Sequence, residues 1–352
     1  MPFKVVITDT TAEDYEVERR LFADAGFDLE VVYLQTREPS VVRDHAADAD
    51  AVVVAWAPLT REVIASLRRC RLIVRYGIGV DMIDLDAATE QGIVVCNTAR
   101  YCIEEVSAHA ISFLLLLNRQ ILPLHRSMQN GGWGSPDIMP PRRLAGQQLG
   151  LIGLGNIGRA VAAKARGLGL RVVACDPFVQ AGSVQDGVQL VGLAELLTTS
   201  DYVSIHCPLT ASTRHLIGRR ELALMRPTAF LINCARGAVI DQSALVEALA
   251  RRRIAGAALD VFETEPLAVD DPLRRLDNVI LTPHVAHWSV ESAIECRRTA
   301  VEHVLAALRG EIPPDVVNRA VLQRPHRLCS EPGRVGSGEG GEKRPAPGGH
   351  RG

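Results

Sequence analysis

The sequence predicts an α/β protein with two open, doubly wound parallel sheets. Three observations point to it: strand-like and helix-like pieces alternate along most of the chain, the alternation runs twice, and the second run opens on a cluster of glycines. The first run has apolar strand segments at residues 4–8, 29–33, 51–54 and 72–75, with a helix expected near 12–25. The second has strands at 149–152, 171–175, 202–206, 229–233, 256–260 and 279–282. Between the runs, residues 104–129 read as one long helical stretch, nearly apolar on every side from Leu114 to Leu117, and such a helix needs burial in a core or at a subunit interface. A last helix, about 291–308, carries Ile294, Val301, Val304 and Leu308 at helical spacing and is placed to return the chain to the first domain. The expected division is one domain from residues 1–100 with 289–320, a second from 101–288, and a tail from 321–352. The tail collapses to Gly, Pro, Ser, Glu and Arg, too little apolar surface to offset ordering entropy, and is expected to be disordered.

At 352 residues the chain exceeds one ordinary core, and 47% hydrophobic content is enough to fill two. A net charge of -2 argues against nucleic acid as a partner, which would call for a basic excess gathered on one face. The opening MPFKVVITDT reads as a strand and not as an export signal. The longest apolar stretch, residues 111–117, falls far short of the roughly twenty residues that cross a bilayer, so no membrane partner and a cytoplasmic location are expected. The 8 cysteines include no CxxC pair and read as buried thiols, and neither they nor the 10 histidines cluster as metal ligands do.

The glycines carry the first chemical signal. A short apolar run at 149–152 leads into GLGNIG and then into an Ala-rich helix, giving a strand, a tight turn and a helix. Gly153 permits the turn, Gly155 lets the backbone approach a pyrophosphate, and Gly158 lets helix and strand pack closely. Asn156 and Ile157 open the helix, whose free N–H groups and partial positive charge suit phosphate. The next strand ends at Asp176, about twenty residues beyond the glycines, where a carboxylate suits a ribose diol and repels a 2'-phosphate. The second domain therefore reads as a Rossmann-like NAD domain, with Arg159 the nearest cation available to a phosphorylated ribose instead.

A hydride delivered to a ketone leaves charge on oxygen, so the site needs a cation to hold the substrate and a proton donor beside that oxygen. Arg236 follows the strand FLINCA and sits at the carboxyl edge of the sheet, where open α/β sheets bind ligands. A guanidinium there can grip a carboxylate with two hydrogen bonds. His284 follows the strand VILT on the same rim, and an ordinary imidazole pKa near 6.5 suits reversible proton donation. Glu265, after the strand ending at Asp260, is placed to orient that imidazole. Singly, each residue has an ordinary alternative: a helix cap, a loop acid, a core histidine. Their succession on the tips of one sheet singles them out. His206, also at a strand end, is assigned to the cofactor side.

With these segments in view, the chain resembles the D-isomer-specific 2-hydroxyacid dehydrogenase family over nearly all of residues 3–320. The resemblance is carried by RYGIGVDMIDLDAATEQGIVVCN, GQQLGLIGLGNIGRAVAAKARGLGLRVVACDPF, HCPLTASTRHLI, LINCARGAVIDQSALVEAL, GAALDVFETEPL and NVILTPHVAHWS. It is closest to the branch of the C-terminal-binding-protein-like dehydrogenases. The resemblance implies a flavodoxin-like substrate domain beside the NAD domain, a homodimer built on the helical stretch near 104–117, and catalysis by Arg236, Glu265 and His284. It also implies cofactor contacts from Pro208, Thr213, Cys234, Ala235 and Asp260. Substrate contacts are implied for the loop of Tyr76, Gly77, Ile78 and Gly79, with backbone N–H groups near Ile78 and Gly79 on the carboxylate, and for His287. Met82, Arg100 and His287 depart from common family residues, which leaves the substrate open. The tail's composition argues against a regulatory domain after Asn318. The expected activity is NAD-dependent interconversion of a small 2-oxo acid and its D-2-hydroxy acid. The alternatives are an NAD(H)-sensing, corepressor-like binding protein, or a 3-phosphoglycerate dehydrogenase in which Arg75 or Arg100 meets the phosphate.

Overall fold

The computed structural model describes residues 2–10, 12, 14–133, 138–180 and 182–329. The chain divides into two compact units: the first takes residues up to Thr98 together with those from Arg297 onward, and the second runs from Ala99 to Cys296.

In the first unit, β1 (Phe3–Ile7), β2 (Leu29–Tyr33), β3 (Ala51–Val54), β4 (Leu72–Arg75) and β5 (Val94–Asn97) form a parallel sheet in the order β2-β1-β3-β4-β5. This is the flavodoxin-like order, whose direction reverses between β1 and β3. Runs such as AVVV in β3 are buried on both faces, as parallel strands flanked by helices require. The flanking helices are α1 (Glu16–Ala23), α2 (Pro39–Ala46), α3 (Arg61–Ser66) and α4 (Leu85–Glu90). Helix α1 is shorter than the expected 12–25; it begins only at Glu16, with Glu16 and Glu18 in the first turn, where the helix dipole favours acids.

In the second unit, β6 (Gln148–Ile152), β7 (Arg171–Cys175), β8 (Val184–Gln185), β9 (Val188–Leu190), β10 (Tyr202–Ile205), β11 (Phe230–Asn233), β12 (Gly256–Leu259) and β13 (Val279–Leu281) form one sheet in the order β13-β12-β11-β10-β6-β7-β9-β8. From β6 the chain winds outward through β7 to β9, then crosses back to β10, β11 and β12, which is the Rossmann order, with β13 and β8 added at its two edges. The antiparallel hairpin β8–β9 at the edge turns through Asp186 and Gly187, both at positive φ. The helices are α5 (Ile103–Arg119), α6 (Ile121–Gln129), α7 (Asn156–Gly167), α8 (Leu193–Thr199), α9 (Arg219–Leu224) and α10 (Gln242–Ala250); α11 (Val290–Leu308) runs from the second unit into the first. Leu231, Leu245, Leu249 and Leu259 are among the residues of a core packed between β-strands and helices.

Two expectations are corrected. The single helix over 104–129 is broken at Gln120, which takes a left-handed conformation at φ 53°. Its backbone N–H caps the carbonyls of Leu116 and Leu117, and its side-chain amide donates to the Leu117 carbonyl at 2.7 Å, so one residue satisfies the end of α5 that a continuous helix would not need to cap. Burial ends there too: α5 buries Val106, Ala110, Phe113, Leu114 and Leu117, and α6 buries none of its residues. The second correction concerns the tail. Residues 321–329 are ordered on the first unit. Arg327 donates to the carbonyls of Leu67 and Cys70 at 2.6 and 3.1 Å, and Val321 and Leu328 are buried. The guanidinium and two apolar side chains supply what the Gly- and Pro-rich remainder lacks; that remainder, 330–352, lies outside the described residues.

Candidate active site

The fingerprint glycines are each required for a different reason. A Cβ on Gly153, at φ 100°, would stand 2.8 Å from the backbone of His206 and Cys207, so the turn after β6 touches the chain leaving β10. A Cβ on Gly158 would stand 2.4 Å from the Gly153 carbonyl oxygen, so this glycine lets α7 close on its own turn. Gly155 differs: nothing of the chain lies within 4 Å of its added Cβ, and it caps α7 without a side chain. A cradle that only a bound group would fill, at a helix N-terminus opened by Asn156 and Ile157, fits the pyrophosphate of a dinucleotide.

Asp176, just past the end of β7, accepts from the Leu154 N–H at 2.8 Å and the Phe178 N–H at 2.9 Å. Each oxygen keeps a further lone pair for a ribose hydroxyl. Arg159 donates to the Leu154 carbonyl at 3.1 Å and lies 3.7 Å from Asp186. His206 sits where β10 ends, its Nε2 2.8 Å from Ser204 Oγ, and burial pushes its pKa down to about 4, so the imidazole is neutral. Beyond it, Thr213 Oγ1 donates to the Pro208 carbonyl at 2.7 Å, which closes the 208–213 loop on itself.

The three residues assigned to the chemistry meet at neighbouring strand tips. Arg236 follows β11, and the Asn233 side chain braces its turn by donating to the Arg236 carbonyl at 2.9 Å and accepting from the Ala235 N–H at 3.0 Å. Glu265 follows β12; one oxygen accepts from the Phe262 N–H at 2.9 Å, and the other lies 2.6 Å from His284 Nδ1. Burial raises the Glu265 carboxyl, but the hydrogen bond and charge of His284, the Phe262 N–H and the charge of Arg236 outweigh it and hold the group below its ordinary value. His284 is itself left-handed at φ 56°, a conformation that costs a residue other than glycine about 1–3 kcal/mol. The His287 ring lies 6.0 Å from the His284 ring, centroid to centroid. Cys234 is buried beside Arg236, and burial raises its thiol well above the ordinary value.

Two residues expected beside the ligands are also held within the fold. Asp260 is only 1% exposed. Its carboxylate accepts from Thr282 Oγ1 at 2.5 Å and from the N–H groups of Val285 and Ala286 at 2.9 Å each, and its carbonyl accepts from the His284 N–H at 2.7 Å. It holds the His284 loop in its strained shape. Tyr76 is likewise turned inward: its hydroxyl donates at 2.8 Å to Glu18, a fully buried carboxylate that pairs with Arg297. In the same loop, the Gly77 carbonyl accepts from the Thr98 N–H at 3.0 Å and the Ile78 carbonyl from Asn97 Nδ2 at 2.6 Å. These contacts fix a loop to which only the family resemblance pointed; Asn97, at the tip of β5, has no local sequence signal of its own.

Comparison with known proteins gives the family. The family model of the D-isomer specific 2-hydroxyacid dehydrogenase NAD binding domain matches residues 111–286. A glyoxylate reductase of Korarchaeum cryptofilum is 39% identical over 288 residues, covering 80% of this chain and 87% of that protein. A D-3-phosphoglycerate dehydrogenase of Methanocaldococcus jannaschii is 38% identical over 318 residues, covering 90% of this chain and 59% of that one. The structure of D-lactate dehydrogenase from Aquifex aeolicus complexed with NAD and lactic acid superposes with a TM-score of 0.78 at 30% identity, covering 87% of this chain and 96% of that one. A Rossmann unit with a glycine cradle and an acid, a base and a cation at its strand tips defines a nicotinamide-dependent oxidoreductase. The chain belongs to the D-isomer-specific 2-hydroxyacid dehydrogenase family, and it is an NAD-dependent enzyme interconverting 2-oxo and 2-hydroxy acids.

Proposed function

We propose that His284 is the acid and base of this reaction, that Glu265 orients it, and that Arg236 holds the substrate. The 2.6 Å contact between His284 Nδ1 and Glu265 carries the reading. Nδ1 donates to the carboxylate, and Nε2 is assigned to the substrate's carbonyl oxygen. In the reducing direction Nε2 gives its proton to the carbonyl oxygen as charge develops there, and Glu265 stabilises the imidazolium before that transfer. Arg236, close enough to lower Glu265 by its charge, pairs with the substrate's carboxylate and stabilises the nascent alkoxide. Bound NADH supplies the hydride, so the sum is 2-oxo acid, NADH and a proton to D-2-hydroxy acid and NAD.

The N–H groups of Ile78 and Gly79, which donate to nothing else among the described residues, are assigned to the substrate carboxylate. His287 is assigned to the wall of the substrate site. Pro208, Thr213, Cys234 and Ala235 are assigned to the cofactor's edge of the sheet, and Asp176 sets a preference for NAD over NADP. The similarity to glyoxylate reductases favours a small substituent on the 2-oxo acid. The working form is assigned as a homodimer in the cytoplasm. α6 supports the dimer, because it buries nothing within the chain and leaves Ile121 and Met128 about half exposed. The free thiols of the described cysteines, most of them buried, support a reducing compartment.

The test follows NADH absorbance with glyoxylate, hydroxypyruvate, pyruvate and 2-oxo-4-methylthiobutanoate, comparing wild type with His284→Ala. Turnover of at least one acid, lost in the variant, is expected. No turnover on any of them, or an unimpaired variant, overturns the assignment.

A further inference from the structure

Helix α5 presents a polar ridge to the catalytic loop that the chemistry above does not use. His109 Nε2 lies 3.1 Å from Thr282 Oγ1, at the start of the loop. Glu105, one helical turn earlier, accepts from Ser289 Oγ at 2.7 Å, at the loop's end. Tyr101, a further four residues back, sets its ring 6.3 Å from that of His287. The spacing of four residues brings all three onto one side of α5 and its lead-in, so that they touch residues 282–289 from end to end.

The polarity of the His109 contact follows from its neighbours. Thr282 has one hydroxyl proton, and it goes to the Asp260 carboxylate, which only accepts. Thr282 Oγ1 must therefore accept from His109, which carries its proton on Nε2. Burial lowers the His109 imidazole against the opposing pull of Asp260, in keeping with a neutral ring that donates through Nε2. A chain of hydrogen bonds thus runs from His109 through Thr282 to Asp260, and Asp260 in turn accepts from the backbone of Val285 and Ala286 and, by its carbonyl, from that of His284. The edge contact of His109 on Phe113, at 4.4 Å between ring centroids, fixes the ring from the other side.

We propose that His109 and Glu105 are positioning residues for catalysis: together they clamp the two ends of the Thr282–Ser289 loop and set where the His284 imidazole stands. The inference rests on the assignment of His284 as acid and base. Neither residue is assigned to substrate or cofactor, and the clamp acts through Thr282, Asp260 and Ser289.

The experiment compares His109→Phe, which keeps a ring against Phe113 and loses the donor, with His109→Gln, which keeps a donor. Thr282→Val and Thr282→Ser probe the same bond from its other side. For each, kcat and KM on a turned-over 2-oxo acid, the isotope effect with deuterated NADH and NADH affinity by fluorescence are measured. His109→Phe and Thr282→Val are expected to lose about 10–100-fold in kcat while NADH affinity stays within about twofold, because displacement of the acid slows hydride transfer without touching the cofactor site. The isotope effect on kcat rises as that step becomes limiting. His109→Gln and Thr282→Ser recover most of the loss. The clamp is overturned if kcat in His109→Phe stays within about twofold of wild type, if the Gln variant is as impaired as the Phe variant, or if NADH affinity falls along with kcat. His284→Ala separates the two assignments: an active His284→Ala enzyme removes the reading of His284, whereas an inactive one beside an unimpaired His109→Phe removes only the clamp.

Discussion

A Cβ on Gly237 would stand 1.9 Å from the carbonyl carbon of Phe262, so the turn that carries Arg236 and the loop that carries Glu265 touch backbone to backbone. No side chain fits between them, and the closeness brings the charge of Arg236 to bear on Glu265. Gly237→Ala is expected to push the two tips apart, costing about 1–3 kcal/mol of stability and at least about tenfold in kcat. Thermal unfolding and steady-state kinetics check both, and a variant with unchanged kcat would mean that this contact does not set the site.

Gly155 and Gly158 separate what the fold needs from what the ligand needs. Gly158→Ala places a methyl 2.4 Å from the Gly153 carbonyl and should lower the melting temperature, whereas the space around Gly155 is open and Gly155→Ala should melt as wild type does. The Gly155 variant should nevertheless lose about tenfold or more in NADH affinity, since its methyl meets only the pyrophosphate. Calorimetric titration with NADH beside a melt distinguishes the two; equal affinity in Gly155→Ala would place the phosphates elsewhere.

Asp176 governs the choice of nicotinamide. Asp176→Ser removes the negative charge while keeping an acceptor, and the ratio of kcat/KM for NADH over NADPH should fall by about tenfold or more. The two assays, run side by side, read that ratio directly, and an unchanged ratio would move the preference to another residue.

Two groups make the fold sensitive to acid, in separate windows. His206 has its folded pKa depressed to about 4 against an ordinary 6.5, so the unfolded chain binds the proton first, and stability falls as pH drops from 6.5 towards about 4. Glu265 has its folded pKa depressed below an ordinary 4.5; its contribution is present above that value and is lost as pH falls through the lower folded value. The melting temperature of wild type relative to His206→Gln should therefore be highest above about pH 6.5 and fall steadily on descending towards about 4, while Glu265→Gln differs from wild type mainly above 4.5. A constant offset between wild type and His206→Gln across the range would show that His206 does not titrate with folding.

Most strands were legible because buried parallel strands read as unbroken apolar runs, and Arg236, Glu265 and His284 were legible because each follows such a run closely. What failed to register lacks that signal. β8 and β9 are only two and three residues long. The break at Gln120 depends on a left-handed residue that is not glycine, for which no composition rule gives warning. The hydrogen bonds of Asp260 and Tyr76 within the fold depend on their distant partners Thr282 and Glu18, which local sequence does not reveal. The Glu105 and His109 ridge was hidden for the same reason: its spacing is visible in the sequence, but its partners lie more than 170 residues away.

The first unit's sheet is finished by residues made long after its five strands. The outer edge of β5 is paired by Val316 and Val317, and Asn318 accepts from the Val95 N–H at 2.8 Å while donating to the Ile93 carbonyl at 3.0 Å. A ribosome therefore releases the contiguous block from Ala99 to Cys296 while the opening ninety-odd residues still lack their border, and nascent chains stalled before Val316 should shield that central block from protease while the amino-terminal part is cut. Synthesis order and folding order run opposite ways for this chain, and its amino-terminal third must wait, exposed to chaperones, for its own carboxyl-terminal strap.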